Sequence, residues 1–208
     1  MTDNIEYSQC IKQLMEKQYT VGRSFERHPD FWTLLEKTCD HTLTEMDVSY
    51  LTDLYANVKE LSIRNKLLQI LFDYYQYDLK DFFLQAFKRE RYLDMRLAAI
   101  RGYSNFASET EVNKLMEKFI GILIKRPENT PYNYQEYEYL RSACGLPFLI
   151  NKYGYSCFVK AYEKVEEQYH AMPDAFKEHY TFDVKGNFIE LRTSEETKKM
   201  LDDFFAQH

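Results

Sequence analysis

The stretch from Asp94 to Lys125, DMRLAAIRGYSNFASETEVNKLMEKFIGILIK, constrains the fold of this chain more than any other. Met95, Leu97, Ala98, Ile100 and Tyr103 recur at three- and four-residue steps, which places them on one face of a 3.6-residue period. Asp94 suits an N-cap, and Asn105 to Thr110 forms a short polar turn. Val112, Leu115, Met116, Phe119, Ile120 and Leu123 then make a second apolar stripe. Two helices joined by so short a turn are expected to pack antiparallel.

The flanking sequence repeats this pattern. Ile5 to about Gly22 predicts a first helix, and Pro29 or Asp30 opens a second through Phe31, Trp32, Leu34 and Leu35, because a missing N–H costs nothing at the first helical position. Residues 38 to 46 read as a connection. Asp47 to Glu60, Ile63 to Tyr75 and Leu79 to Arg89 each carry an apolar stripe at helical spacing. Lys125 to Tyr134, with Pro127 and Pro131, reads as a longer loop. Helices resume over Gln135 to Asn151, interrupted near Gly145 and Pro147, and over Tyr155 to Tyr169.

Alternate helices open alike: Ile63-Arg64-Asn65-Lys66, Met95-Arg96-Leu97-Ala98 and Leu140-Arg141-Ser142-Ala143. The three Arg residues are spaced 32 and 45 residues apart, with the excess falling on the Pro-containing loop. One helix pair per unit at this length is the signature of an α-solenoid. On these residues the chain resembles the HEAT-like, armadillo-type α-helical repeat family: an Asp turn, an Arg and small residues open the second helix of a unit and a short turn leads on. The resemblance is best over 94 to 123, extends over 47 to 93 and weakens after Pro127. It implies an all-α solenoid of antiparallel helix pairs in which Arg64, Arg96 and Arg141 hold neighbouring turns.

Toward the C-terminus the period changes. Tyr180 to Leu191 alternates apolar and polar residues on both sides of Lys185-Gly186-Asn187, a hairpin signal. Ser194 then begins a helix carrying Met200, Leu201, Phe204 and Phe205. The expected organisation is a single structural domain: N-terminal capping helices over 1–46, HEAT-like repeats over 47–169, and a C-terminal β-hairpin and capping helix over 170–208.

Composition narrows the functional classes. Six Gly and five Pro in 208 residues favour helices with compact connections. The formal charge of -6 makes nucleic acid an unfavoured partner, since phosphate binding rests on Lys and Arg displacing counterions. Cys10, Cys39, Cys144 and Cys157 form no CxxC pair and read as reduced thiols. With no signal-like N-terminus and no apolar run of membrane-spanning length, a cytoplasmic protein without membrane partners is expected.

No GxSxG, HExxH, P-loop or Gly-rich nucleotide turn is present, so no catalytic residue, metal ligand or cofactor is assigned and a non-enzyme is expected. Glu163, Glu166, Glu167 and His170 hold one Glu-x-x-His step, where a di-iron bundle needs two, and read as a solvated face. Cys39-Asp40-His41 with His28 and Asp30 would need a distant fourth zinc ligand. Cys144, beside Arg141 and Gly145, reads as a packing residue.

What remains is recognition of a protein partner, and the acidic balance suits a basic one. Tyr offers large contact area at low entropic cost, and acidic neighbours suit a cationic surface. Two segments combine them: Tyr132, Tyr134, Glu136, Tyr137 and Glu138 in the Pro-containing excess, and Tyr74, Tyr75 and Tyr77 between Asp73 and Asp78. Small size and acidity fit a regulator, or an immunity- or antitoxin-like inhibitor that blocks a cationic surface. The alternatives are a HEAT-like DNA glycosylase, for which Trp32 is the chain's one Trp, and a small-molecule sensor with an aromatic pocket.

Overall fold

The computed structural model describes residues 6–17, 29–38, 42–129, 134–177, 180–182 and 188–207. Helices dominate: α1 (Gln9–Glu16), α2 (Pro29–Lys37), α3 (Glu45–Asn57), α4 (Leu61–Leu71), α5 (Lys80–Arg89), α6 (Leu93–Tyr103), α7 (Glu109–Ile124), the single turn α8 (Arg126–Asn129), α9 (Tyr134–Arg141), α10 (Leu146–Tyr153), α11 (Ser156–Ala171) and α12 (Ser194–Gln207). A 3₁₀ turn, Asp174–Phe176, precedes strands β1 (Tyr180–Phe182) and β2 (Phe188–Glu190). The strands pair antiparallel, Thr181 opposite Ile189, on either side of residues 183–187, which lie outside the described set.

The chain divides into two compact units, residues 1–91 with 98–108, and residues 92–97 with 109–208. In the first, α1 packs on α2, α2 on α4 and α3 on α4. The apolar stripes read from the sequence fill its interior: Leu14, Phe31, Leu51, Ile63, Leu67 and Phe83 are closed to solvent. Phe83 and Gly102 meet there so closely that a Cβ on Gly102 would lie 2.3 Å from the Phe83 ring. Glycine is therefore required by the approach itself.

Polar groups buried in this unit are paired, as desolvation demands. Asp47, fully buried, closes a capping box on α3: its carboxylate accepts the Thr44 N–H at 2.9 Å, while the Thr44 hydroxyl accepts the Asp47 N–H at 3.1 Å. The same carboxylate accepts the Ser8 N–H at 2.8 Å. Glu90, just beyond α5, accepts from Arg64 Nε at 2.8 Å and from the Tyr55 hydroxyl at 2.5 Å. Arg89 donates to the Tyr55 and Val58 carbonyls at the end of α3.

In the second unit α11 packs against α7, α9 and α10, around Phe119, Leu123, Leu140, Leu149, Phe158 and Val165. Gly145 lies between α9 and α10, where a Cβ would fall 2.2 Å from the Tyr139 carbonyl oxygen, and Pro147 occupies the first turn of α10. The interruption expected at these two residues is thus present. Gly154 ends α10 in the left-handed region, φ 69°, as a C-cap.

Some boundaries differ from expectation. Asp94 lies inside the first turn of α6 rather than at its cap, because Glu136 reaches the Leu93 N–H, at 2.8 Å, and does the capping from a distance. α12 begins at Ser194 as expected, with Thr193 before it as the cap: the Thr193 hydroxyl accepts the Glu196 N–H at 3.2 Å, and Glu196 accepts the Thr193 N–H at 2.7 Å. Part of the expected 125–134 loop is the turn α8. Among the described residues, no helix is long and apolar enough to cross a membrane.

Candidate partner-binding loop

The link between α4 and α5, Phe72 to Leu79, is anchored at both ends and exposed in its middle. Phe72 continues the α4 hydrogen-bond ladder to Leu68, and its own carbonyl accepts Asn105 Nδ2 at 2.6 Å. Asp73 receives a forked ion pair from Arg101, whose guanidinium also lies 3.9 Å from the centre of the Phe72 ring. The planar fork fits the carboxylate and leaves one guanidinium face for the ring.

Tyr74 turns back and its hydroxyl donates to the Leu43 carbonyl. Its ring stacks on Tyr77, with centroids 5.9 Å apart and planes 25° from parallel. Burial pushes the Tyr74 phenol above its usual pKa, with Tyr77 and Asp47 adding to the shift. At the far end Asp78 accepts the Lys80 N–H at 2.9 Å, an Asx turn just before α5, and Leu79 is buried.

Between these anchors Tyr75 is 72% exposed. A large ring held out on a fixed backbone, flanked by Asp73 and Asp78, is suited to contact rather than to packing. Asp73 keeps 52% of its side chain accessible despite its pair with Arg101.

The other segment is placed differently. Tyr132 and the side chain of Tyr134 lie outside the described residues. Glu136 and Tyr137 are 3% and 1% exposed, so as they stand they are interior residues, not contact surface. Glu136 forms a forked pair with Arg126, and this bond holds the Arg126 guanidinium above its usual pKa. Tyr137 donates to Gln168 Oε1 at 3.0 Å, and burial pushes its phenol up to about 12. Glu138, half-buried, accepts the Tyr169 hydroxyl at 2.7 Å. The α9 face thus stitches its own unit together.

Of the Arg residues expected at helix openings, Arg64 stands in the first turn of α4 and binds Glu90, whereas Arg141 is the last residue of α9 rather than the start of a helix; it binds Glu166 at 2.5 Å, with its guanidinium 3.8 Å from the Tyr169 ring centre. Glu166 also faces His170 at 3.4 Å, and Glu167 binds Lys164. No group of three or more His, Cys, Asp or Glu side chains suited to a metal ion occurs among the described residues. Cys39, His41 and His28 lie outside them, Cys144 is exposed, and Cys157 is buried. Sequence reasoning missed Asp47, which closes the cap of α3 next to the Leu43 carbonyl that receives Tyr74, and Arg101 and Asn105, which fix the loop from elsewhere in the chain. The Thr44-x-x-Asp47 spacing is a capping-box signal for the first; nothing local marks the other two.

The chain matches no protein-family model, no curated protein and no solved structure.

Proposed function

We propose that the chain is a non-catalytic interaction module, a stack of HEAT-like helix pairs whose C-terminal strands and α12 cover the apolar flank of the final pair, acting in the cytoplasm. It holds a basic protein partner at the Asp73–Asp78 loop, as a regulator or inhibitor that occupies a cationic surface. The observation that carries this reading is Tyr75: an aromatic ring exposed on a backbone that Arg101, Asn105 and Leu43 already hold in place.

Pre-ordering matters because association must overcome the entropy of every group it fixes. A loop tied down before the encounter loses little more on binding, and Tyr carries only two side-chain torsions. The exposed faces of Asp73 and Asp78 steer a positively charged partner and reject an acidic one. Sequestering the charges of a basic surface requires no reacting group, in keeping with the absent catalytic motifs.

The test is binding with the loop altered and the fold intact. Tyr75→Ala should weaken capture of the partner by about 30-fold, the scale of an interface hot spot, while thermal unfolding stays unchanged because the ring supports nothing inside. Wild-type affinity in Tyr75→Ala would refute the assignment.

A further inference from the structure

Helix α12 carries a second surface, independent of the loop. Its half-buried positions, Thr197, Met200, Leu201 and Phe204, fall on one stripe, and Phe204 and Phe205 set their rings against Phe176 at 5.1 and 6.1 Å. None of its residues is fully buried. On the adjoining outward face Lys198, Asp202 and Phe205 recur at i, i+4 and i+7, the last 65% exposed. Among the described residues neither Lys198 nor Asp202 has an ion-pair partner within the chain. Lys preceding Asp by four residues is also the weaker order for pairing along one helix.

A two-fold interface joins one patch to itself, so it requires a patch that is its own complement. The α12 face meets that condition. Antiparallel pairing of two α12 helices by their outer faces, about an axis lying between them at the level of Met200, brings residue 198 of each copy opposite residue 202 of the other, since both lie two positions from that level. Each Lys198 then meets an Asp202, twice by symmetry. Leu201 and Phe205 lie along the same seam and lose water. We infer that the outer face of α12 is a homodimer contact whose occupant is a second copy of this chain.

Sedimentation of the intact chain over a micromolar-to-millimolar concentration series tests this with two opposite substitutions. The wild-type chain should shift toward twice the monomer mass. Lys198→Asp places two acids across each contact and Asp202→Lys two bases, and each alone should weaken association by about tenfold or more, the scale of like-charge juxtaposition. An equimolar mixture of the two variants restores both pairs and should recover wild-type association as a heterodimer. Both positions are exposed, so circular dichroism should match the wild type, and recovery on mixing separates a lost contact from a lost fold. A wild-type chain that stays monomeric throughout, or a dimer indifferent to both substitutions, or variants that stay apart when mixed, overturns the inference.

Discussion

Arg126 and Glu136 form a forked ion pair inside the second unit, the guanidinium Nε lying 2.7 Å from one carboxylate oxygen while the other oxygen also accepts the first N–H of α6. A segment whose composition suggests a contact surface thus serves as an internal brace. Removing one member leaves the other charged and without solvent. Arg126→Met should therefore destabilise the chain by about 3–5 kcal/mol, and Glu136→Leu similarly. The double variant should lose less than the sum. Urea melts of the four proteins check this, and strict additivity would show that the two side chains do not interact.

Asp94 stands beside this pair. Its Oδ1 is buried with no hydrogen-bond partner among the described residues. Burial holds its carboxyl above the usual carboxylate pKa; the Met95 N–H opposes the shift and Glu136 adds to it. A raised folded pKa means that the native chain binds this proton more tightly than the unfolded chain. The contribution to stability is then complete below the unfolded value and is lost as pH rises through the folded one. Asp94→Asn should accordingly be more stable than the wild type at neutral pH, with the gap closing as pH falls toward the ordinary carboxyl range. A gap independent of pH would contradict it.

Gly102 faces the Phe83 ring with no room for a methyl group. Gly102→Ala should lower stability by about 1–3 kcal/mol through overpacking. Phe83→Leu creates space at the same point, so the pair should be less damaging together than their separate losses predict. Thermal melts of the three variants decide between this and simple additivity.

Gly154 ends α10 at positive φ with open space around its α-carbon. Gly154→Ala should cost about 1–2 kcal/mol from backbone strain alone, and Gly154→Asn less, because Asn tolerates the left-handed region. Equal losses in both would point to some other role for the residue.

These positions also mark how far the sequence could be read. Helix interiors were legible because burial repeats at helical spacing: Met116, Phe119 and Leu123 in α7, or Ile63 and Leu67 in α4, are buried where the stripes place them. The break at Gly145-Pro147 was equally plain, since both residues act through local backbone geometry. Ends were read less well where the deciding group is remote. Asp94 has the chemistry of a cap, but the cap of α6 comes from Glu136, 43 residues on. The same limit applies to the candidate sites. Tyr and acidic residues are combined in both the α9 segment and the Asp73–Asp78 loop, and only the fold separates Tyr137, inside, from Tyr75, outside. Arg101 and Asn105 pin the loop across about 30 residues of chain, a distance at which no local pattern operates.

Partner binding turns on Tyr75. A photo-crosslinking phenylalanine analogue at position 75, compared with the same group at exposed Val159 in the lysate of the producing cell, tests this most directly. Position 75 should yield one discrete adduct with a basic protein, competed by excess unlabelled wild-type chain, weakened by salt, and not competed by the Tyr75→Ala variant. Absence of an adduct at 75, or the same products from both positions, would contradict the account.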